Sequence, residues 1–177
     1  MSEEDALKSS HPYLPPTEVQ AAMLRKLALY WDGQWFLKTV EEFGLEAGIR
    51  MNARVRAAFG RIEMRTMLRA LGKERADDLV DAMQIIAAYG QVLMGSSLRA
   101  EYPVLMPDQA EVIIRRCAAY EGARRAGLAR VDQACVACET LWGAWLGVLL
   151  PETPVRVESL MRQGKGDPHC HFAFTVG

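Results

Sequence analysis

Histidine is scarce: the 177 residues contain three, His11, His169 and His171. That leaves few groups to serve as the base that an enzyme nucleophile usually needs beside it. An excess of charge is also missing. Lys and Arg number 21 against 22 Asp and Glu, for a formal charge of −1, and the arginines are spread over several segments rather than gathered in a run. Such a balance gives no basis for a nucleic-acid partner or for an acidic membrane surface. No apolar stretch reaches the ~20 residues that cross a bilayer. The N-terminus, Met1-Ser-Glu-Glu-Asp-Ala, is acidic and lacks the basic start and apolar block of a secretory signal, so a cytoplasmic location is the expectation. The four cysteines (Cys117, Cys135, Cys138 and Cys170) are then expected as free thiols or ligands rather than disulfides. Internal repeats and low-complexity tracts are absent.

What is present is half hydrophobic residue, enough for a single core. Residues 1–16 carry Ser-Ser-His-Pro and Leu-Pro-Pro and read as a flexible arm, leaving 17–177 as one domain. Thr17 opens a helix along Val19, Met23, Leu27 and Tyr30. Asp32-Gly33 reads as a break, after which a second helix runs from Gln34 to Phe43. A third is expected from Leu45 to Phe59 with Gly60 as its stop, a fourth from Ile62 to Leu71, and a fifth from Ala76 to Tyr89, closed by Gly90. The pattern then turns β-like over Leu98–Met106 and Glu111–Cys117, around a hairpin at Pro107-Asp108-Gln109. Ala118–Ala126 reads as helical, Val131–Leu150 as one long helix, and Val155–Arg162 with His169–Val176 as a closing hairpin. The sum is an α+β fold: N-terminal helices, then two β-hairpins separated by helices, in one antiparallel sheet covered by helices.

The closing strand constrains the chemistry most. Its alternation puts Cys170, Phe172, Phe174 and Val176 on one face and His169, His171 and Thr175 on the other. A thiol points at the core while both nearby histidines point away, which disfavours a Cys–His dyad. On the helix from Val131, Cys135, Cys138, Trp142, Trp145 and Leu149 form one stripe. Packed on the sheet, that stripe brings Cys138 towards Cys170. With Cys117 and Cys170 the Cys-x-x-Cys pair also admits a metal reading, four thiolates suited to zinc, but a single pair inside an apolar helix reads more readily as buried small hydrophobes. On the third helix Asn52 and Arg56 interrupt the apolar stripe Leu45, Ile49, Val55, Phe59. A guanidinium there must pair or line a cavity. It either grips a carboxylate with help from Asn52 or closes an internal salt bridge to an acid such as Asp32 or Glu42. Arg116 is a second candidate of this kind. Trp31 and Trp35 read as core or as a pocket wall.

Two stretches carry a family resemblance. Trp31-Asp-Gly-Gln-Trp-Phe36, with Glu42-Phe-Gly-Leu-Glu46 and Gly60-Arg-Ile62, resembles a cytosolic bacterial and archaeal family that opens on an aromatic-Asp-Gly-aromatic motif. Arg116-Cys117-Ala-Ala-Tyr120, Cys138-Glu139 and Gly166-Asp-Pro-His-Cys-His-Phe172 resemble the 2-aminothiazoline-4-carboxylate hydrolase family. The same tail is similar to 4-vinyl-reductase-type ligand-binding domains, including sensor domains of phenol-responsive regulators. The resemblance implies a small-molecule hydrolase acting on a cyclic amidine or related C–N bond of a carboxylated compound. Cys138 or Cys170 would be nucleophile or acid, Glu139 or Asp167 would activate water, and Arg56, Asn52, Arg116, Trp31, Trp35 and Trp142 would bind substrate. The alternative the resemblance implies is a non-catalytic small-ligand-binding module, a sensor or carrier with a hydrophobic pocket. No cofactor is expected. Zinc on Cys135, Cys138, Cys170 and Glu158 is the alternative, though the strand carrying Glu158 lacks the cysteine that the sensor domains keep. The implied partners are a small molecule and a second copy of the chain.

Overall fold

The computed structural model describes residues 13–177. The expected arm over 1–16 falls mostly outside them. Helix α1 (Thr17–Phe43) and helix α2 (Leu45–Leu71) form a long antiparallel hairpin turning at Gly44, whose φ of 83° suits glycine. Helix α3 (Leu79–Leu93) follows, then strands β1 (Leu98–Leu105) and β2 (Gln109–Cys117), helix α4 (Ala118–Arg125), the short helix α5 (Val131–Ala134), helix α6 (Ala137–Leu149), and strands β3 (Val155–Met161) and β4 (Cys170–Val176). The strands make one antiparallel sheet in the order β1-β2-β4-β3, so the two hairpins join through β2 and β4.

The α+β architecture and the single antiparallel sheet are as the sequence predicts, but several helix boundaries are not. The break at Asp32-Gly33 does not exist, because Asp32 spends its carboxylate on Arg56 of α2 rather than on a cap. Gly60 does not stop a helix either. It lies inside α2, where an added Cβ would meet Leu141 at 2.8 Å and Ala144 at 3.3 Å, so the glycine sets how closely α2 crosses α6. The expected third and fourth helices are therefore one. The fifth begins at Leu79, where the Asp78 carboxylate accepts from the Asp81 N–H at 2.9 Å, and passes Gly90, which is buried beneath Leu98. The long helix expected from Val131 is interrupted at Cys135-Val136.

These two glycines separate cleanly by experiment. Gly33 has nothing within 4 Å of where a Cβ would stand, so Gly33→Ala should stabilise by about 1 kcal/mol through helix propensity alone. Gly60→Val should destabilise by roughly 1–3 kcal/mol through overpacking against α6. Urea unfolding midpoints of both variants check the contrast.

The core lies between the inner face of the sheet and helices α3 and α6, with α2 packed behind α6. Alternation along β4 buries Cys170, Phe172 and Phe174, as expected. Trp142 is the keystone of this layer, with its ring centroid 5.0 Å from that of Phe174, 5.8 Å from Phe172 and 5.2 Å from Trp145.

Candidate functional site

Four thiols come together where α6, the end of β2 and the start of β4 meet. Cys117 closes β2, Cys135 and Cys138 flank the kink before α6, and Cys170 opens β4. They are free, and each is close enough to its neighbours to disfavour a second negative charge. Burial pushes every one of these thiols above its ordinary value, Cys135 to about 11, and the neighbouring thiols reinforce the shift for Cys135, Cys138 and Cys170. Burial thus favours the neutral thiol over the thiolate at each of the four.

Two guanidiniums flank the cluster. Arg56 reaches in from α2 with its side chain 19% exposed, paired with Asp32, and its positive charge is felt at Cys117 and Cys138. Of the two options for Arg56 in the sequence, an internal ion pair to Asp32 is the one formed. Arg162 follows β3 with its side chain 12% exposed. It pairs with Glu139, donates from Nε to Ser159 Oγ at 2.8 Å, and is felt at Cys135 and Cys170. Glu139 is thus a partner of Arg162. Asp167 accepts from the Arg162 backbone N–H at 2.7 Å, which fixes the turn between β3 and β4. Within that turn the Gln163 N–H donates to Cys170 Sγ at 3.4 Å, and Gln163 Oε1 is buried with no hydrogen-bond partner among the described residues. Gly164 lets the turn close on Cys135, because a Cβ there would stand 2.9 Å from its Sγ.

A second polar cluster lies deeper. Glu63 on α2, 5% exposed, accepts from the Trp145 indole N–H at 2.7 Å. Burial and a hydrogen bond to Glu63 hold the Tyr89 hydroxyl firmly protonated, and the charges of Arg56 and Asp32 reach it too. Arg56 therefore stands between the thiols and the Glu63–Tyr89–Trp145 group.

The other residues singled out in the sequence fall as follows. Trp142 is in the core beneath the thiol layer, and Asn52 is half-buried one turn before Arg56. Arg116 is exposed and pairs with Glu121 at 3.2 Å. Trp31 and Trp35 are 70% and 63% exposed on α1, away from the core. Glu158 is exposed and sits opposite Ala173, on the sheet face that Cys170 does not share. Among the described residues no three His, Cys, Asp or Glu side chains are arranged to hold a metal ion. His171 pairs with Glu111 at 2.9 Å, and His169 approaches Arg115, both on the outer sheet face. Arg162, Gln163, Glu63 and Tyr89 were not foreseen. The only signal for Glu63 is its position on the same helical stripe as Gly60, Met64 and Leu68.

The thiol cluster predicts a pH dependence. Thiols held above their unfolded values keep their protons longer in the folded state, so the folded state binds more protons between the two values. Stability from Cys135 is then fully present below about pH 9 and is lost as pH rises towards about 11. Denaturant midpoints measured from pH 7 to 11 should fall over this window, and Cys135→Ala should flatten part of the fall.

Residues 22–174 match a family described as L-2-amino-thiazoline-4-carboxylic acid hydrolase. The chain belongs to this hydrolase family. The resemblance read from Cys138-Glu139 and the Gly166–Phe172 tail thus extends over most of its length. No curated protein sequence matches. Solved structures that share the fold include two at 14% and 11% identity. One is the phenol-responsive sensory domain of the transcription activator PoxR with phenol, at TM-score 0.57 and 14% identity, covering 81% of this chain and 72% of that one. The other is a trafficking protein particle complex subunit 3 from Naegleria fowleri covalently bound to palmitic acid, at TM-score 0.61 and 11% identity, covering 88% and 96%. At such identities they establish the fold alone. No helix among the described residues of this family member is long and apolar enough to cross a membrane.

Proposed function

We propose that the chain is a hydrolase that opens a small carboxylated cyclic amidine at the thiol cluster between Arg56 and Arg162. The observation that carries this reading is the family match over residues 22–174, a stretch that includes the four free thiols and the largely buried guanidiniums of Arg56 and Arg162. Arg56, with Asn52 one turn away, takes the substrate carboxylate in exchange for Asp32. The amidine N–H groups find an acceptor in the unpaired Gln163 carbonyl. Water adds to the amidine carbon and gives its proton to Glu139, with Asp167 holding the turn. The ring C–S or C–N bond breaks, and the departing atom takes a proton from the protonated thiol of Cys138 or Cys170. Proton transfer from Glu139 back to the thiolate restores the site. The product is the substrate plus one water. Incubation of purified protein with L-2-aminothiazoline-4-carboxylate, followed by mass spectrometry, should show that mass gain, with a new free thiol if the C–S bond is the one cleaved. An unchanged substrate under these conditions contradicts the reading.

A second reading, a module that binds a small ligand without chemistry, is supported by the raised thiols and by neighbours solved with phenol and with palmitic acid. Native mass spectrometry separates the two, since a ligand retained without turnover favours the module. Either function suits a cytoplasmic homodimer, where the thiols stay reduced.

A further inference from the structure

We propose that the chain pairs with a second copy of itself through one face of the α1–α2 hairpin, in an antiparallel two-fold arrangement centred near Trp31. Helix α1 is 27 residues long and fully buries none of them. One side of it is used: Asp32 reaches Arg56, and Val40 lies over Gly48. One position before those contacts, a different stripe comes round on each helix. Leu27, Trp31 and Trp35 line it on α1, and Met51, Val55 and Phe59 line it on α2. Because the helices run antiparallel, both stripes fall on the same side of the hairpin. All six side chains are between 48% and 70% exposed. Together they present roughly 700 Å² of largely apolar surface, more than a monomer ordinarily shows and close to one partner's share of a stable interface.

Charge identifies the occupant. At the hairpin's turn the α1 end carries Glu42, and at its open end α2 carries Arg65 and Arg69. Among the described residues none of these three makes an ion pair, whereas Glu41 and Glu46 at the same turn are held by Lys38 and Arg50. A two-fold axis across the hairpin near Trp31 reverses its direction and sets the acidic turn of each copy over the basic end of the other. The apolar stripes then meet each other, and the formal charge of −1 per chain opposes association little. This inference rests on the dimeric state proposed with the function and adds the surface and its polarity.

Sedimentation velocity over a wide concentration range tests it, with circular dichroism and unfolding midpoints as controls for folding. The wild type should be a dimer. Trp31→Glu should weaken dimerisation by roughly a hundredfold. Glu42→Arg and Arg69→Glu should each weaken it by roughly tenfold, and the double variant should regain most of the loss. A wild-type dimer that resists all three changes overturns this interface while the dimeric state stands. A wild-type chain that is monomeric at every concentration removes both. A double variant no tighter than the singles overturns the antiparallel arrangement. A monomer that floats with anionic lipid vesicles assigns the face to a membrane and also overturns the proposal.

Discussion

Arg56→Met should lower kcat/KM for L-2-aminothiazoline-4-carboxylate by at least about a hundredfold, with most of the change in KM, while Arg116→Met should leave it within about twofold. The asymmetry follows from where the two guanidiniums stand. Arg56 is largely buried, its charge reaches Cys117 and Cys138, and its present partner is a carboxylate that a substrate carboxylate can replace. Arg116 lies in solvent at the end of β2, held by Glu121. An exposed pair of that kind contributes little to binding. Methionine keeps most of the length and apolar stem of the side chain, so the fold should survive, and the unfolding midpoint of Arg56→Met serves as the control. Steady-state kinetics on the two purified variants decides the matter.

Trp142→Ala should cost about 3–5 kcal/mol of stability, the largest loss expected from a single truncation in this core. Trp142 is 6% exposed and touches Phe172, Phe174 and Trp145, so its removal leaves a void where α6 meets β4. For a domain of ordinary stability, about 5–15 kcal/mol, that is roughly a fifth of the total or more. The loss should appear in urea titration as a lower midpoint with an unchanged slope. Trp142→Phe keeps a ring in the stack and should recover more than half of it.

The sheet was legible in the sequence because strand alternation is a local signal. The parity of Cys170, Phe172 and Phe174 follows from a period of two and needs no tertiary information. The helical hairpin was less so. Gly33 and Gly60 have the same appearance in a sequence as glycines that end helices. What distinguishes Gly60 is the approach of Leu141 and Ala144 from α6, more than eighty residues further on. Arg56 announced itself as a charge in an apolar stripe, and its partner Asp32 was among the acids within reach. Arg162 did not, since an arginine at a strand end usually lies in water. The ion pair to Glu139, the hydrogen bond to Ser159 Oγ and the turn fixed by Asp167 hold it where its charge reaches Cys135 and Cys170. Glu63 was hidden for the same reason: its partner Trp145 is supplied by a distant helix.

The proposed activity requires that the thiols of Cys138 and Cys170 and the charges of Arg56 and Arg162 face one bound substrate. Alkylation of individual cysteines, followed by mass spectrometry at pH 9 with and without L-2-aminothiazoline-4-carboxylate, tests this most directly. Saturating substrate should slow the labelling of Cys138 and Cys170 at least about tenfold in the wild type and should not slow it in Arg56→Met. Labelling rates that ignore the substrate in both proteins would contradict the assignment of the site.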